Sequence, residues 1–547
     1  MTVSHHRPLK AFPRPAWRLN DLPRLLAAND RNTVTYIARD GTRRCCRFPE
    51  VRRQAIAALN HLVRSGVRLQ SGTRCAIMAP TGYQWLIAAL ACLFGGVEIV
   101  AVPENLSDTD VALSLAALPV DLAILSPELQ AYEAFAKVRR VSILDLGGAD
   151  SEPLMPMQAR LSVVAFTSGS TSTSKLKAFR IDPESTEVFI ETFAKAFGLS
   201  HEDNWVICHP FSHIVHFEYA LGGLAWGYDV TLADTLSIVL HGATLRPSIL
   251  ITVPSVYEQL ATQIRKRLPK SGMRSRLIRW SIALPVNRLT KVAARLWGPL
   301  LFPEVGQVLS DRLKVMIIGA APSTTELRRF FALVGLPVYE GYGMSETQML
   351  SCNVGGGDRF DTVGRAWPGV ELRLLPDKTL MARLHFHRTR AYLNVPTADS
   401  RATFQDDGWI DTGDLGEIDR GGFLRIVGRK KEILITNRGK NVNPAPLEAK
   451  LRMIPGVAHA FVFGNNKPFI IALLAPTRVP FDASAQRAAA EHLSRINSEL
   501  GVHERIINFR ILPEPLSVEN GLLTRSGKPR KTAIEHRFHQ EIEELYA

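Results

Sequence analysis

The sequence predicts an α/β protein, with a large N-terminal domain of parallel sheets covered by helices and a small α+β C-terminal domain. Strand and helix patterns alternate over 50–126, and the same alternation returns at 251–263 and 314–333. Such alternation is typical of parallel strands joined by crossover helices. After Trp409 the pattern changes to short strands separated by turns. At 547 residues, the chain is long enough for roughly three or four structural units of about 150 residues each.

Individual elements follow from hydrophobic periodicity. Helical spacing is present at 51–67 and 83–93, whereas the short apolar run at 161–166 is typical of a buried strand. Further strands are predicted at 73–79, 97–102, 120–125, 315–318, 423–427, 457–463 and 469–475, and C-terminal helices at 484–500 and 532–546. We place the domain boundary near Gly428, which gives domains 1–428 and 429–547.

The composition indicates a globular protein with a basic surface. It is 46% hydrophobic and 22% charged, with a formal net charge of +14. That charge is compatible with several partners: nucleic acid, anionic lipid, or acidic small molecules and proteins. Because much of it comes from dispersed arginines, the charge alone does not identify the partner. Because no stacking-aromatic motif or groove-reading helix is present, we expect no nucleic-acid partner.

The compartment is predicted from cysteines and apolar segments. The six cysteines are scattered without CxxC spacing, which favours a reducing cytosol. Residues 1–18 lack the apolar core of a signal peptide, and the apolar stretch 85–97 is too short to cross a bilayer. We therefore expect a cytoplasmic protein that is soluble or at most peripheral at the inner membrane face.

One segment, 265–295, carries ten Lys or Arg residues and no Asp or Glu. Apolar residues, including Leu277 and Trp280, are interleaved with these charges. A basic amphipathic helix of this kind can lie on an anionic membrane. The alternative, which we favour on sequence alone, is a solvated, arginine-coated helix that caps the core.

The segment 167–175 reads Thr-Ser-Gly-Ser-Thr-Ser-Thr-Ser-Lys and follows the predicted strand at 161–166. Backbone N–H groups and hydroxyls can donate hydrogen bonds to phosphate oxygens, and the lysine adds a positive charge. A P-loop is excluded because Ser174 precedes Lys175 and Leu176 follows it. The segment is thus a candidate phosphate loop of another architecture, with a solvated surface loop as the alternative.

Further charged clusters follow along the chain. Glu346, beside hydroxyl residues at a strand end, is a candidate Mg²⁺ ligand, and Asp414 a candidate acceptor for ribose hydroxyls. Two more clusters lie at 428–432 and 526–528. Three histidines, His209, His213 and His216, raise the question of zinc, but Pro210 disfavours a helix that carries the first two. Pocket lining or core packing is the favoured interpretation of these histidines.

In this order and at these separations, the motifs resemble those of the adenylate-forming superfamily of acyl-CoA synthetases, luciferases and peptide-synthetase adenylation domains. The resemblance runs from roughly residue 50 to the end of the chain. Motifs at 340–347, 428–433 and 520–524, together with the basic insertion at 265–295, are most similar to those of long-chain fatty-acyl-CoA ligases.

The resemblance implies that the chain uses ATP and Mg²⁺ to convert a fatty or aryl carboxylic acid into an acyl-adenylate. The acyl group would then pass to the thiol of CoA or of a carrier-protein phosphopantetheine, with a mobile C-terminal domain serving both steps. It also implies that Lys528, Glu346 and Lys175 are the catalytic residues. The further implied roles are phosphate binding for Thr167, Ser168, Gly169, Ser170, Thr171 and Lys175; Mg²⁺ at Glu346 beside Ser345; adenine at Gly319, Ala320, Ala321, Pro322 and Tyr342; ribose at Asp414 and Arg429; the hinge at Lys431; the pantetheine path at Gly439; and the acyl pocket at His213.

Two departures from the family pattern keep alternatives open. Ser172 stands where glycine is usual and Ser174 where proline is usual; a further departure is the absence of Gly-Glu at 381–384. Ser172 and Ser174 are the only argument for one alternative, a degenerate relative that binds acyl groups or nucleotide without turnover. Another is a ligase that loads an acidic acyl carrier protein, because opposite charges favour association with this basic chain.

Overall fold

The computed structural model describes residues 15–37, 42–148, 152–167, 176–354, 359–479, 483–517, 519–523 and 529–547; at 288 and 483–485 only the backbone is described. Its α-helices are α1 Leu22–Ala28, α2 Phe48–Arg64, α3 Tyr83–Phe94, α4 Asp108–Leu115, α5 Pro183–Phe197, α6 Val215–Trp226, α7 Thr235–Leu245, α8 Pro254–Arg267, α9 Gly272–Ala283, α10 Arg288–Leu301, α11 Glu304–Val308, α12 Thr325–Leu333, α13 Thr397–Thr403, α14 Pro444–Leu451, α15 Ala483–Ser498, α16 Lys531–Arg537 and α17 His539–Glu544.

The strands are β1 Thr33–Ile37, β2 Arg43–Arg47, β3 Arg74–Met78, β4 Glu98–Ala101, β5 Leu122–Leu125, β6 Arg139–Ser142, β7 Val163–Phe166, β8 Ala178–Ile181, β9 Asn204–Ile207, β10 Asp229–Leu232, β11 Ile249–Thr252, β12 Val315–Ile318, β13 Val338–Met344, β14 Gln348–Cys352, β15 Arg365–Ala366, β16 Val370–Leu374, β17 Thr379–Leu384, β18 Trp409–Ile418, β19 Leu424–Arg429, β20 Leu434–Ile435, β21 Asn441–Val442, β22 Val457–Phe463, β23 Ile470–Pro476 and β24 Ile506–Ile511.

The N-terminal part of the chain is built on two large, mainly parallel sheets. The first has the order β15-β14-β13-β12-β11-β9-β10-β1-β2, in which β13 to β1 run parallel and the outer strands antiparallel. The second has the order β6-β5-β3-β4-β7-β8, parallel except for β8. Helices α2, α3, α5 and α6 contribute to one core with residues of both sheets. The central strands of both sheets are buried on both faces, as their short apolar runs predict.

Local signals set the ends of the covering helices. In α5, Asp182 accepts a hydrogen bond from the Glu184 backbone N–H at 3.0 Å, and Pro183 occupies the first turn. Gly198 ends the helix at φ +59°, a left-handed conformation that glycine adopts without steric cost. The start and end of α5 are thus encoded locally, whereas its packing against α6 is tertiary.

A four-stranded antiparallel sheet, β16-β17-β18-β19, follows the two large sheets. Its last pair sets Asp414 of β18 directly opposite Arg429 of β19. The segment between β17 and α13 returns to the six-stranded sheet, where the Leu393 N–H donates to the Ala178 carbonyl at 2.7 Å. This connection brings residues near 390 next to the start of β8, the strand that follows the candidate phosphate loop in the sequence.

The C-terminal part forms a smaller α+β unit. Strands β22, β23 and β24 make one sheet, with β22 antiparallel and β24 parallel to β23. The central strand β23 is buried along its whole length, because α14 and α15 contribute to the core on one face and α16 and α17 to the core on the other. In the described residues, no helix combines the length and the apolarity that crossing a bilayer requires.

Two sequence predictions need correction. The helix predicted at 532–546 is two helices, because Phe538 leaves the helical conformation at φ −106° and ψ +26° and is buried in the C-terminal core. The basic segment 265–295 is not one helix either: it comprises the end of α8, all of α9 and the start of α10. Pro269 and Pro285 lie in the two breaks, where proline disfavours a continuous helix.

Candidate functional site

The candidate site lies where parallel strands of the nine-stranded sheet end. The Gly319 N–H, directly after β12, donates to the carbonyl of Thr252 at the end of β11, at 3.2 Å. Ala320 follows with φ +64°, a left-handed conformation that is uncommon for alanine. Because Ile318 pairs with Glu340, the predicted adenine residues after β12 lie beside the segment of β13 that holds Tyr342.

Three predicted residues come together across two sheets. The Tyr342 hydroxyl donates to Oδ2 of Asp414 at 2.5 Å, and Nε of Arg429 lies 3.0 Å from Oδ1 of the same carboxylate. Asp414 is buried, whereas the Arg429 side chain is half exposed. Each carboxylate oxygen can accept two hydrogen bonds, and counting only partners among the described residues, each oxygen of Asp414 keeps one acceptor position.

Burial dominates the electrostatics of this cluster. Desolvation raises the pKa of the Asp414 carboxyl above its ordinary value, against the opposing effects of Arg429 and the Tyr342 hydroxyl. Desolvation, together with the adjacent Asp414 charge, raises the pKa of Tyr342 well above its usual range. The tyrosine hydroxyl therefore stays protonated and keeps donating to the carboxylate at neutral pH.

The second carboxylate, Glu346, lies in the turn between β13 and β14. It is buried, and its Oε1 accepts a hydrogen bond from the Tyr392 hydroxyl at 2.7 Å. In the described part of the chain, no group donates to its Oε2. Burial and the Glu346 charge raise the pKa of Tyr392, which therefore remains a donor.

Tyr392 also lies beside the base of the candidate phosphate loop. The Thr167 N–H donates to the Lys177 carbonyl at 2.9 Å, which closes the β7–β8 hairpin that contains the loop. The Lys177 ammonium is 4.7 Å from the centre of the Tyr392 ring. The base of the loop and the Glu346 carboxylate are therefore joined through one tyrosine.

A buried ion pair supports the turn that holds Glu346. Nε of Arg388 donates to the Ser345 carbonyl at 2.7 Å, and its two terminal nitrogens each lie 2.5 Å from an oxygen of Glu218. The Arg388 and Glu218 side chains are only 1% and 2% exposed. Thr186 adds a hydroxyl donor to Glu218. Bidentate geometry and near-complete burial make this a rigid support.

Three further predicted site residues lie in turns or bends of the chain. His213 is exposed in the turn before α6, and its backbone N–H donates to the Pro210 carbonyl at 2.9 Å. Lys431 is exposed just after β19, and Gly439, at φ +68°, lies in the turn between β20 and β21. Residues Ser168, Gly169, Ser170, Thr171, Ser172, Ser174, Lys175 and Lys528 lie outside the described residues.

The three histidines lie together near the same edge. The ring centres of His209 and His216 are 4.7 Å apart, and Nε2 of His209 is 2.8 Å from the Thr252 hydroxyl. Burial, with a smaller effect of His209 and His213, lowers the pKa of His216 well below its ordinary value. No group of three or more His, Cys, Asp or Glu side chains suited to a metal ion occurs among the residues that the structure describes.

Sequence reasoning missed four residues that shape the site: Tyr392, Arg388, Glu218 and Lys177. The sequence contains one indication of the role of Glu218, because it is a single acid in the otherwise apolar and aromatic run of α6. A charge in such a run requires a buried partner. The sequence contains no comparable indication for Arg388 and Tyr392, because they lie in an irregular segment and contact their partners only through the tertiary fold.

The chain matches known families over most of its length. Residues 27–383 match the AMP-binding enzyme family, and 431–547 match the AMP-binding enzyme C-terminal domain. It is 27% identical to the long-chain-fatty-acid–CoA ligase FadD15 of Mycobacterium bovis over 558 aligned positions, which cover 91% of each chain. It is 31% identical to the long-chain-fatty-acid–CoA ligase ACSBG1 of Mus musculus over 336 positions, covering 55% of this chain and 45% of that protein.

Solved structures share the whole architecture. The o-succinylbenzoate CoA synthetase (MenE) of Bacillus subtilis, in complex with the acyl-adenylate OSB-AMP, has a TM-score of 0.72 at 18% identity, covering 94% of this chain and 98% of that one. ATP-bound MatB of Rhodopseudomonas palustris has a TM-score of 0.69 at 21% identity, covering 95% and 99%. These likenesses confirm the predicted fold class of a large parallel-sheet domain followed by a smaller C-terminal domain.

Proposed function

The chain belongs to the AMP-binding enzyme family, and from that premise we propose that it is an AMP-forming acid–thiol ligase that acts on a long-chain fatty acid. The observation that carries the assignment to this site is the convergence of Tyr342, Asp414 and Arg429 on one edge, with Glu346 on the same β-hairpin as Tyr342. Family membership supports an acyl-adenylate intermediate and a thioester product.

In this proposal, the nucleotide lies along that edge. The loop that contains Gly319, Ala320, Ala321 and Pro322 frames the adenine together with Tyr342, and the remaining acceptor positions of Asp414 bind the ribose hydroxyls. Arg429 stays half exposed beside Asp414 and is positioned to contact the same ribose. Residues 167–175 hold the phosphates, and the Lys177 charge at the base of that loop favours polyanion binding there.

The residues present also fit Mg²⁺. This ion takes one or two carboxylates together with phosphate oxygens and water. Glu346 supplies a carboxylate whose Oε1 is fixed by Tyr392 and whose Oε2 is without a donor in the described residues. When bound, Mg²⁺ would neutralise charge on the phosphates. The protein's own contribution is the rigid orientation of Glu346, through Tyr392 on its side chain and Arg388 on the preceding carbonyl.

The chemistry proceeds in two displacements. A substrate carboxylate oxygen attacks the α-phosphorus of ATP, the bond from that phosphorus to the bridging oxygen breaks, and pyrophosphate leaves with the electron pair. A thiolate then attacks the acyl carbonyl carbon, and AMP leaves. In the first step two anions approach each other, and we assign the compensating cation to Lys528, delivered by the C-terminal domain. For the second step we assign Lys431 as the hinge and Gly439 to the path of the thiol arm.

Relatives support a fatty acid as the substrate. FadD15, the relative that covers 91% of both chains, is named a long-chain-fatty-acid–CoA ligase. The likeness to the o-succinylbenzoate enzyme, at 18% identity, concerns the fold. We place the acyl chain near His213, where the segment after β9 also contains the buried apolar residues Phe211, Ile214 and Phe217.

We propose coenzyme A as the acceptor thiol, in agreement with the names of the relatives. An acidic acyl carrier protein is the second candidate, because the net charge of +14 favours an acidic partner. A cytoplasmic location remains the prediction; each of the six cysteines is a free thiol in the structure.

The proposal is tested by acid-dependent exchange of pyrophosphate into ATP across fatty and aryl acids, followed by product analysis with CoA and with a carrier protein. We expect exchange with long-chain fatty acids, then AMP and acyl-CoA as products. A matched pair of variants checks the site: Asp414→Asn should suppress exchange, whereas Asp419→Asn, on an exposed turn, should retain it. Acid-dependent formation of ADP, or exchange that survives Asp414→Asn, would contradict the assignment.

A further inference from the structure

Helix α10 has its apolar face turned away from the protein. Leu289, Leu296 and Leu300 recur at helical spacing and are 81%, 72% and 75% exposed. Val292 and Trp297 on the same side are also mostly exposed. A helix on a globular protein normally buries its apolar stripe. The orientation of α10 is the opposite, and a contiguous exposed apolar surface of this kind indicates an interaction site.

The packing of α10 explains why this orientation is stable. Small residues mark the close contact of α10 with the segment after α12: a Cβ built on Gly298 of α10 would lie 3.0 Å from the Val334 carbonyl, and one built on Gly335 would lie 2.5 Å from the Ala294 carbonyl. The backbones therefore approach so closely that no large side chain fits between them. An Asn287–Thr290 capping box fixes the first turn. The outward apolar face thus belongs to a capped helix of 14 residues, with Pro299 in its last turn.

Helix α9 extends the same kind of surface. Met273, Leu277 and Trp280 recur at intervals of four and three residues and are exposed. Only Ser275 and Ile278 of this helix are buried. Together α9 and α10 expose two tryptophans, residues whose amphipathic rings favour a membrane–water interface.

The segment that forms these helices is strongly basic. The segment 265–303 contains no Asp or Glu, and Arg276 and Arg279 are exposed on α9. In the parts of the chain that the structure describes, no ion pair involves either arginine. Arg274, by contrast, turns inward to Glu304 at 2.6 Å. The exposed arginines are therefore available to an external anion.

We propose that α9 and α10 form a docking surface for an anionic lipid bilayer. The exposed leucines and tryptophans enter the region between headgroups and acyl chains, while Arg276 and Arg279 contact anionic headgroups. A second copy of this chain is a poorer occupant, because the same basic face would meet itself and like charges repel. The proposal rests on surface residues alone and is independent of the proposed ligase reaction.

The test is flotation of the full chain with vesicles of phosphatidylcholine plus phosphatidylglycerol, compared with phosphatidylcholine alone. We expect binding to the anionic vesicles that weakens as salt is added. Leu296→Ser/Leu300→Ser should reduce partitioning by about tenfold or more, because two apolar side chains no longer enter the bilayer. Arg276→Gln/Arg279→Gln should reduce the preference for anionic vesicles by about tenfold.

Matched controls distinguish binding through this face from nonspecific hydrophobic binding. Leu236 and Leu240 on α7 have the same four-residue spacing and are 61% and 58% exposed, so Leu236→Ser/Leu240→Ser should leave partitioning unchanged. Arg420→Gln/Arg505→Gln is the corresponding control for charge. A retained melting temperature would show that each variant is folded. Three results would overturn the proposal. The wild type could fail to bind anionic vesicles, it could self-associate through this face instead, or Leu296→Ser/Leu300→Ser could bind as fully as the wild type.

Discussion

The two carboxylates of the site, Glu346 and Asp414, each accept a hydrogen bond from a tyrosine hydroxyl, at 2.7 and 2.5 Å. Both tyrosines have a raised pKa, so neither competes for negative charge at neutral pH. A neutral donor fixes the direction of a carboxylate without cancelling its charge. Such fixing leaves the other lone pairs of the carboxylate available to a ligand.

Tyr392→Phe removes the hydroxyl that orients Glu346. Because a hydrogen bond to a charged group contributes about 1.5–3 kcal/mol, we expect the KM for Mg²⁺-ATP to rise by about tenfold or more, with the fold retained. Pyrophosphate exchange at varied Mg²⁺ concentration measures this. The matched control is Tyr257→Phe, since Tyr257 is a buried tyrosine whose hydroxyl donates to the Leu250 carbonyl at 2.8 Å. A similar change in Mg²⁺ dependence in the control would remove the assigned role of Tyr392.

Asp414 should make stability depend on pH. Its folded-state pKa is raised above the unfolded value by burial, so its contribution to stability is fully present below pH about 3.9 and is lost as the pH rises through the folded pKa. Relative to Asp414→Asn, the wild type should therefore lose melting temperature as the pH increases from about 4 to 7. In the same variant, ATP affinity should fall by about tenfold at pH 7, because an amide replaces the acceptor of the ribose hydroxyls.

Asp419→Asn should show the opposite dependence of stability on pH. Hydrogen bonds from the Phe423 and Gly421 backbone lower the pKa of Asp419, so its contribution is lost as the pH falls. Thermal melts of the three proteins across pH, with parallel nucleotide titrations, check both directions. A wild-type advantage over Asp414→Asn that is constant with pH would show that burial does not govern the ionisation of Asp414.

At the scale of elements, the Arg388–Glu218 pair joins the segment after β17 to the first turns of α6, and its third contact supports the hairpin turn of β13 and β14. Three elements from distant parts of the chain thus meet at one guanidinium. Complete burial makes the pair costly to break, since a remaining charge would have no partner.

Arg388→Met should destabilise the protein by about 3–5 kcal/mol, because it leaves the Glu218 carboxylate buried and unpaired. The double variant Arg388→Met/Glu218→Gln should recover much of that loss, since it removes both charges. Neither should recover full activity, because the Ser345 carbonyl has lost its donor and Glu346 its support. Urea unfolding and pyrophosphate exchange measure the two effects separately. A double variant as unstable as the single one would show that the charge is not the cause.

At the scale of the whole molecule, the C-terminal part has few polar links to the rest. Across the described residues, the side-chain hydrogen bonds and ion pairs of 444–547 stay within 431–547. Asn443 makes a hydrogen bond to the Val427 carbonyl, next to the predicted hinge. A unit with its own core and few polar links is suited to rigid-body rotation. The boundary near Gly428 remains a prediction from sequence.

Lys528→Ala tests that rotation. We expect loss of acyl-adenylate formation with retention of thioester formation from a preformed acyl-adenylate, because the lysine is required in only one orientation of the domain. Pyrophosphate exchange measures the first half-reaction, and acyl-CoA formation from synthetic acyl-adenylate measures the second. Lys531→Ala, a change at an exposed lysine that pairs with Glu448 at 3.0 Å, serves as the control. Equal loss of both half-reactions would exclude two working orientations.

The sequence by itself determined the fold class, most element positions and the five ordered motifs. The buried strand β12 and the helix α3 coincide closely with their predictions, because strand and helix periods are local properties of the chain. Tyr342, Asp414 and Arg429, whose roles toward a nucleotide stay predictions, contact one another in the structure. Local pattern failed where packing overrides it, as at Phe538, whose burial divides the C-terminal helix.

Only the tertiary structure decided what supports the site and which face of α10 is exposed. Glu346 meets Tyr392 across 46 residues, and Glu218 meets Arg388 across 170, so no local pattern contains either pair. The amphipathic spacing of α10 defines an apolar stripe but not its direction. Close backbone contact at Gly298 and Gly335 turns that stripe outward, because small residues allow an approach that large ones exclude. Periodicity specifies faces, and contacts between distant segments decide what each face meets.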